Sequence, residues 1–385
     1  MSNPDMSRRS VLSMMMLGGG AVLLSSCGDN SAAAPEGTTA RSSTPALAQR
    51  ISVTDQRGRT LTFDRPVTSV VTIPMPAASL LVAVDQSADH LSGMHNASWL
   101  AMRDGTMGKL FPNALKVPHE IATADFTPNV ESIRALNPDV VVQWSDSQLT
   151  EPLENAGLKV LGLTNTGQQS DVDTWVTLFS EMLGKPERAS AMKSRSDHEL
   201  TRIRALASGR SRPGPGILYF NRFTGGLKVA ANGSYNDFYI KLVGGSNPAT
   251  ADTGVKGSGM VGVDVEQVLA WNPEVILLGN FDGALPQDLY SDPVWQNVAA
   301  VRHRRVYKVP LGGYRWDPPG QESPLMWQWL TDISFPGQVP SPLRGAIPDY
   351  YRFLYGRAPD SAEIDTMLWM SVNSQSADYE QFRGA

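Results

Sequence analysis

The chain has 385 residues, 41% hydrophobic and 18% charged, with one cysteine and a formal net charge of −5. At ~150 residues per domain this length fits about two domains with sizeable cores, and the ordinary apolar content excludes wholesale disorder. The negative balance excludes a general nucleic-acid binder, which carries basic stripes, and a lone cysteine excludes an internal disulfide or a multi-thiolate metal site.

Arg8-Arg9 precede the apolar run Val11–Leu24, which leads into Leu24-Ser25-Ser26-Cys27. A basic patch, a short apolar core and small residues read as an export signal over residues 1–26. The 14-residue run, at ~1.5 Å per residue, falls short of a ~30 Å hydrocarbon core. Leu-Ser-Ser-Cys resembles the bacterial lipobox, which implies that Cys27 begins the mature chain and carries lipid. Ser7–Leu12 resembles the twin-arginine signal but departs from it at Val11 and Ser13, where Phe and Lys are usual. The competing reading of Cys27 is a core cysteine after a chance apolar stretch. Residues 27–50 are rich in Ser, Ala and Thr, with Pro35 and Pro45, and read as a flexible tether.

Alternation on either side of Gly58 predicts a hairpin over Ile51–Phe63. A strand over Val67–Ile73, a helix over Ala77–Val84 and a strand at Leu91–Met94 follow. Continued alternation of strands and helices predicts α/β layers with parallel sheets. The segment Asn129-Val-Glu131-Ser-Ile-Arg-Ala-Leu-Asn137-Pro138-Asp-Val-Val-Val142 recurs 135 residues later as Asp264-Val-Glu266-Gln-Val-Leu-Ala-Trp-Asn272-Pro273-Glu-Val-Ile-Leu277. Each copy holds a capping Asn or Asp, two helical turns, a stopping Asn-Pro and a β-branched strand. Copies so far apart predict two similar lobes, residues 51–167 and 209–335. Apolar spacing across residues 168–208 predicts one long connecting helix, kinked near Gly184-Lys185-Pro186.

With those features in hand, the chain resembles the class III periplasmic binding proteins of iron-siderophore and cobalamin ABC importers. The resemblance rests on Glu-x-[Ile/Val]-x-Ala-x-Asn-Pro in both lobes, on Val53–Gly58, on Gly244-Gly245-Ser-Asn247, and on Asp292–Val301 followed by Arg305-Val-Tyr307. It covers about residues 51–335. It implies two Rossmann-like lobes bridged by one helix, a rigid cleft between them, no enzymatic activity, no cofactor and a monomeric state. It also implies an ABC permease dimer with ATPase subunits as partner, and an extracytoplasmic, membrane-anchored location. Carried over from the family, Glu131 and Glu266 would dock onto permease arginines. The plainer reading of each is a carboxylate favouring a positive helix end.

Ligand contacts then fall on loops after strands. The candidates are Met75, His95 and Trp144 in the first lobe, and Asn221, Arg222, Phe281, Tyr314, Arg315 and Trp316 in the second. Gly312-Gly313-Tyr314-Arg315-Trp316-Asp317 stands out, because two glycines let backbone approach a ligand and a cation lies between aromatic faces. Such a site suits an anionic ferric siderophore. In the competing reading Trp316 is core and Arg315 pairs with Asp317. The five histidines lack ligand spacing, so a histidine-rich site for a bare metal is not expected. Cobalamin, heme held by Tyr314 or His95, and an oxyanion such as molybdate are alternatives. An enzyme is a distant one, since Gly257-Ser-Gly259-Met-Val-Gly262 fits GxGxxG but no apolar strand precedes it. Residues 336–385 predict two further helices packed on the second lobe, the latter started by an Asp360/Glu363 capping box.

Overall fold

The computed structural model describes residues 50–211, 213–337 and 342–384; Arg8, Arg9 and Cys27 lie outside them. Strands β1 (Ile51–Thr54) and β2 (Thr60–Phe63) pair antiparallel. Strands β3 (Val70–Thr72), β4 (Leu91–Met94), β5 (Val140–Trp144) and β6 (Val160–Leu163) build a parallel sheet ordered β4-β3-β5-β6. The second sheet contains β7 (Ile217–Arg222), β8 (Lys228–Ala230), β9 (Met260–Gly262), β10 (Val275–Leu278) and β11 (Val306–Lys308), ordered β11-β10-β7-β8-β9. Here β7, β10 and β11 are parallel, while β8 and β9 add antiparallel at one edge. The fold is therefore α/β with two sheet-centred lobes.

Alternation along each strand sends neighbouring side chains to opposite faces. Val70, Val140 and Val142 enter one core, and Val71 and Val141 another. In the second lobe Ile217, Tyr219, Val275 and Leu277 join the first of these cores, while Leu218, Phe220, Ile276 and Leu278 face a third. One apolar cluster thus runs through both lobes. Parting them would return that surface to water, so large hinge motion is opposed.

The two repeat copies share their local geometry. Asn129 Oδ1 accepts from the Ser132 amide to cap helix Val130–Ala135, and Asp264 Oδ1 accepts from the Gln267 amide to cap helix Val265–Trp271. Asn137 and Asn272 follow at φ +46° and +45°, the left-handed region that Asn tolerates better than most side chains.

The connector differs from the expectation of one kinked helix. Helix Gln169–Met182 ends at Gly184, which takes φ +68°, and a separate helix runs Pro186–Ser208. Gly184 permits the reversal and Pro186 opens the new helix, where its missing N–H is not needed. The first helix packs on β1 and helix Ala77–Asp85; the second packs on helices Ser323–Ser334 and Tyr235–Leu242. At ~1.5 Å per residue, the 23 residues of the second helix give a crossing of about 34 Å.

The tail also departs from expectation, because it rests on both lobes. Helix Leu343–Tyr355 packs against Ala77–Asp85 as well as Ser323–Ser334. Gln86 Nε2 donates to the Phe353 carbonyl (3.1 Å), and Arg188 donates to the carbonyls of Ala83, Phe353 and Leu354. Helix Ser361–Met367 starts with the expected capping box. Beyond it, Asn373 Oδ1 accepts from the Lys308 amide (2.7 Å) and Nδ2 donates to the Lys308 carbonyl (3.1 Å), covering the otherwise open edge of β11.

Candidate functional site

Between the strand ends of the two lobes lies a cleft of about 690 Å³. The first lobe contributes Met75, His95, Ala97, Leu100, Phe126 and Asn165 among others. The second contributes Tyr219, Asn221, Arg222, Lys228, Tyr235, Asn236, Met260, Phe281, Arg315 and Asp317. Three of the lining side chains, Arg222, Lys228 and Arg315, are cations, against the single carboxylate of Asp317. Asp317 is wholly buried and accepts from Tyr219 Oη at 2.6 Å and the Asn280 amide at 3.1 Å, neutral donors that leave its charge in place. With three cations against it, the formal charge of the cleft lining is positive.

Arg315 sits at its floor. Nε donates to the Asn280 carbonyl (3.1 Å), and Nη1 crosses the lobes to the Ala97 carbonyl (2.9 Å). Its guanidinium lies 4.7 Å from the Phe281 ring centroid. Both hydrogen bonds go to neutral carbonyls, so the full charge stays available. The expected alternative, a pair between Arg315 and Asp317, does not form. Phe281 is held by its loop, where buried Lys308 Nζ donates to the carbonyls of Gly279 (2.8 Å), Asp282 (2.7 Å) and Ala284 (3.1 Å).

His95 caps helix Asn96–Asp104: Nδ1 accepts from the Ala97 amide (3.0 Å), and Nε2 lies 2.9 Å from the Thr123 carbonyl, to which it donates in that tautomer. Burial, reinforced by the charge of Arg315, pushes its pKa below the ordinary 6.5, against the raising effect of the Thr123 bond. Both ring nitrogens are occupied, which leaves none for a metal.

Of the nine ligand candidates, six line the cleft: Met75, His95, Asn221, Arg222, Phe281 and Arg315. Trp144 packs edge-on between Phe126 (6.1 Å) and Trp175 (5.9 Å) instead. Tyr314 and Trp316 are each 1% exposed, and Trp316 Nε1 donates to Glu322 Oε2 at 2.6 Å. Backbone alternation explains this, since Arg315 faces the cleft and its two neighbours face the core. The glycines before them also serve the core: a Cβ on Gly312 would lie 2.0 Å from Glu322 Oε2. Nothing in the sequence marks Tyr219 and Lys228 as cleft residues, since the strand period of Tyr219 looks like that of any core residue. Asp317 belongs to the Gly312–Asp317 loop that does stand out, and it too lines the cleft.

Glu131 stands in the first turn of its helix with its side chain 87% exposed, 3.8 Å from Arg134. Glu266 is likewise exposed in the first turn of the second copy. The GxGxxG stretch does not start a helix. Its Gly257 and Gly259 turn at φ +101° and +72° into edge strand β9. Among the described residues no group of three or more His, Cys, Asp or Glu is placed to hold a metal, and no helix is long and apolar enough to cross a membrane.

Comparison with known proteins agrees with this architecture. The periplasmic binding protein family matches residues 121–311, a span that contains both repeat copies and the crossing helix. The chain is 23% identical to the molybdate-binding protein MolA of Haemophilus influenzae, over 82% of this chain and 94% of that protein. A periplasmic solute binding protein from Veillonella parvula superposes with TM-score 0.75 at 29% identity, covering 85% of this chain and 99% of the other. The TroA-like periplasmic binding protein FepB from Veillonella parvula superposes with TM-score 0.62 at 17% identity, covering 80% and 97%. Two sheet-centred lobes, a long crossing helix, a cleft at the strand ends and the family match lead to one assignment: residues 121–311 carry the pattern of the periplasmic binding protein family, and the fold around them is the one its solved relatives share.

Proposed function

We propose that the protein captures an anionic iron chelate, a ferric siderophore, in the interlobe cleft and delivers it to an ABC permease. The observation that carries this reading is the imbalance of charge in the cleft, with Arg222, Lys228 and Arg315 against one buried carboxylate, Asp317. Its volume of about 690 Å³ falls in the ~300–1,000 Å³ range of pockets that take drug-sized ligands. Phe281 beneath Arg315 offers a flat face beside the cation, which suits a planar catecholate arm. The chelator supplies the metal's own ligands, so no protein nitrogen is needed. Heme fits less well, because Tyr314 is buried away from the cleft and both nitrogens of His95 are engaged.

A second reading, a small oxyanion, draws support from the molybdate-binding relative that aligns along 94% of its length. Arginine serves that ligand equally well. Replacing Arg315 by Gln is expected to weaken binding of an iron(III) tris-catecholate at least tenfold by calorimetry. Unchanged affinity would remove Arg315 from the site and with it this reading.

Delivery is proposed to use Glu131 and Glu266 as docking points for permease arginines, and Cys27 as a lipid anchor after twin-arginine export through Arg8-Arg9. The anchor has a direct check: Cys27→Ser should move the protein from the membrane fraction to the soluble extracytoplasmic one. Persistence in the membrane would contradict it.

A further inference from the structure

We infer that Glu322 and the C-terminal helix Leu343–Tyr355 position Arg315 for ligand capture, which makes the tail part of the construction of the binding site. The inference rests on the reading that Arg315 engages an anionic ligand. Glu322 is 2% exposed, and the donors around its carboxylate are neutral. Tyr351 Oη donates to Oε2 (2.7 Å), Tyr355 Oη to Oε1 (2.5 Å), Trp316 Nε1 to Oε2 (2.6 Å) and the Gly313 amide to Oε1 (3.0 Å).

Two of these donors bracket Arg315 in the chain, and the other two come from the tail. The Gly313 amide also reaches Tyr351 Oη at 2.8 Å, so tail and loop meet directly as well as through the carboxylate. From the first lobe, the Thr106 amide donates to the Gly312 carbonyl (2.8 Å). The loop is thereby pinned on both sides of Arg315, and its guanidinium is left to reach Asn280 and Ala97 across the cleft floor.

A carboxylate buried without a cation is costly, and a fully satisfied buried polar network fixes one arrangement. Here that arrangement is the backbone on either side of the cleft arginine. Glu322 and the tail tyrosines touch no part of the cleft, so their role is positioning.

The test is a double-mutant cycle in the full chain carrying Cys27→Ser, with iron(III) tris-catecholate and sodium molybdate titrated by calorimetry. Tyr351→Phe/Tyr355→Phe is expected to weaken the tighter-binding probe about tenfold when Arg315 is present. It should weaken it less than twofold when Arg315 is replaced by Gln. Equal losses in both backgrounds would overturn the inference, because a merely structural role lowers affinity regardless of Arg315. An Arg315→Gln loss with no effect of the tyrosine pair would overturn it while leaving the anion-capture reading intact. No effect of Arg315→Gln, or no binding of either probe, would remove that reading and the inference with it. Glu322→Gln, which keeps one acceptor oxygen, is the second variant should the tyrosine pair fail to fold, and the same pattern is expected from it.

Discussion

Arg315 carries a permanent charge in a site where both of its hydrogen bonds end on neutral carbonyls. That leaves its charge available to the anion proposed for the cleft. The reason is visible in the sequence as the Tyr-Arg-Trp triplet, whose cation stands out. Its depth, and the inward turn of both neighbouring aromatics, depend on Glu322, six residues beyond Trp316, and on tyrosines further along. Nothing local marks Glu322 as buried, so the sequence reading takes Gly312-Gly313 as serving the ligand when the glycines serve that carboxylate. His95 gives a prediction at the same scale. Its folded pKa lies below the ordinary 6.5 chiefly through burial, so the stability linked to it is present above 6.5 and lost as pH falls through the lower folded value. A proton on Nδ1 would oppose the Ala97 amide. His95→Asn, which caps without titrating, should flatten the acid-side fall in thermal midpoint. His95→Ala should cost about 1 kcal/mol at pH 8. An unchanged acid-side profile in His95→Asn would show that other groups set it.

At the scale of elements, short-range patterns are legible. The opening hairpin, both copies of the repeat and the Asp360/Glu363 capping box form where residues a few positions apart imply them. The break at Gly184 and the seat of the tail are not legible in the same way. A helical period continues across residues 168–208, and only packing on different neighbours decides that the chain reverses there. The repeat carries its own test. Asn137 is exposed at φ +46°, so Asn137→Ala should cost about 1 kcal/mol by removing the short polar side chain that lets Asn tolerate the left-handed region, and Asn137→Gly should not. Asn272→Ala should cost more, because Asn272 Oδ1 also accepts from the Ala299 amide at 2.8 Å. Chemical denaturation of the three variants checks the order. Equal stabilities would mean that the left-handed turn imposes no cost.

Across the whole molecule, one apolar core shared by the lobes, the crossing helix and a tail seated on both make a preformed cleft. Reversing both exposed glutamates, Glu131→Arg with Glu266→Arg, is expected to abolish uptake in cells while ligand affinity in solution stays within twofold. Normal uptake by that variant would remove the docking role. The cleft itself was the least legible part: loops after strands can be located from sequence, yet which side chains turn inward was decided by contacts between segments more than 100 residues apart, such as Arg315 with Ala97. The most direct measurement is calorimetric titration of the Cys27→Ser protein with iron(III) tris-catecholate, heme, cobalamin and molybdate in parallel. Submicromolar saturation by the ferric catecholate, weakened at least tenfold by Arg315→Gln, is the expected result. Saturation by cobalamin or heme with no response to the ferric catecholate would contradict the assignment, and saturation by molybdate alone would replace the chelate with the oxyanion.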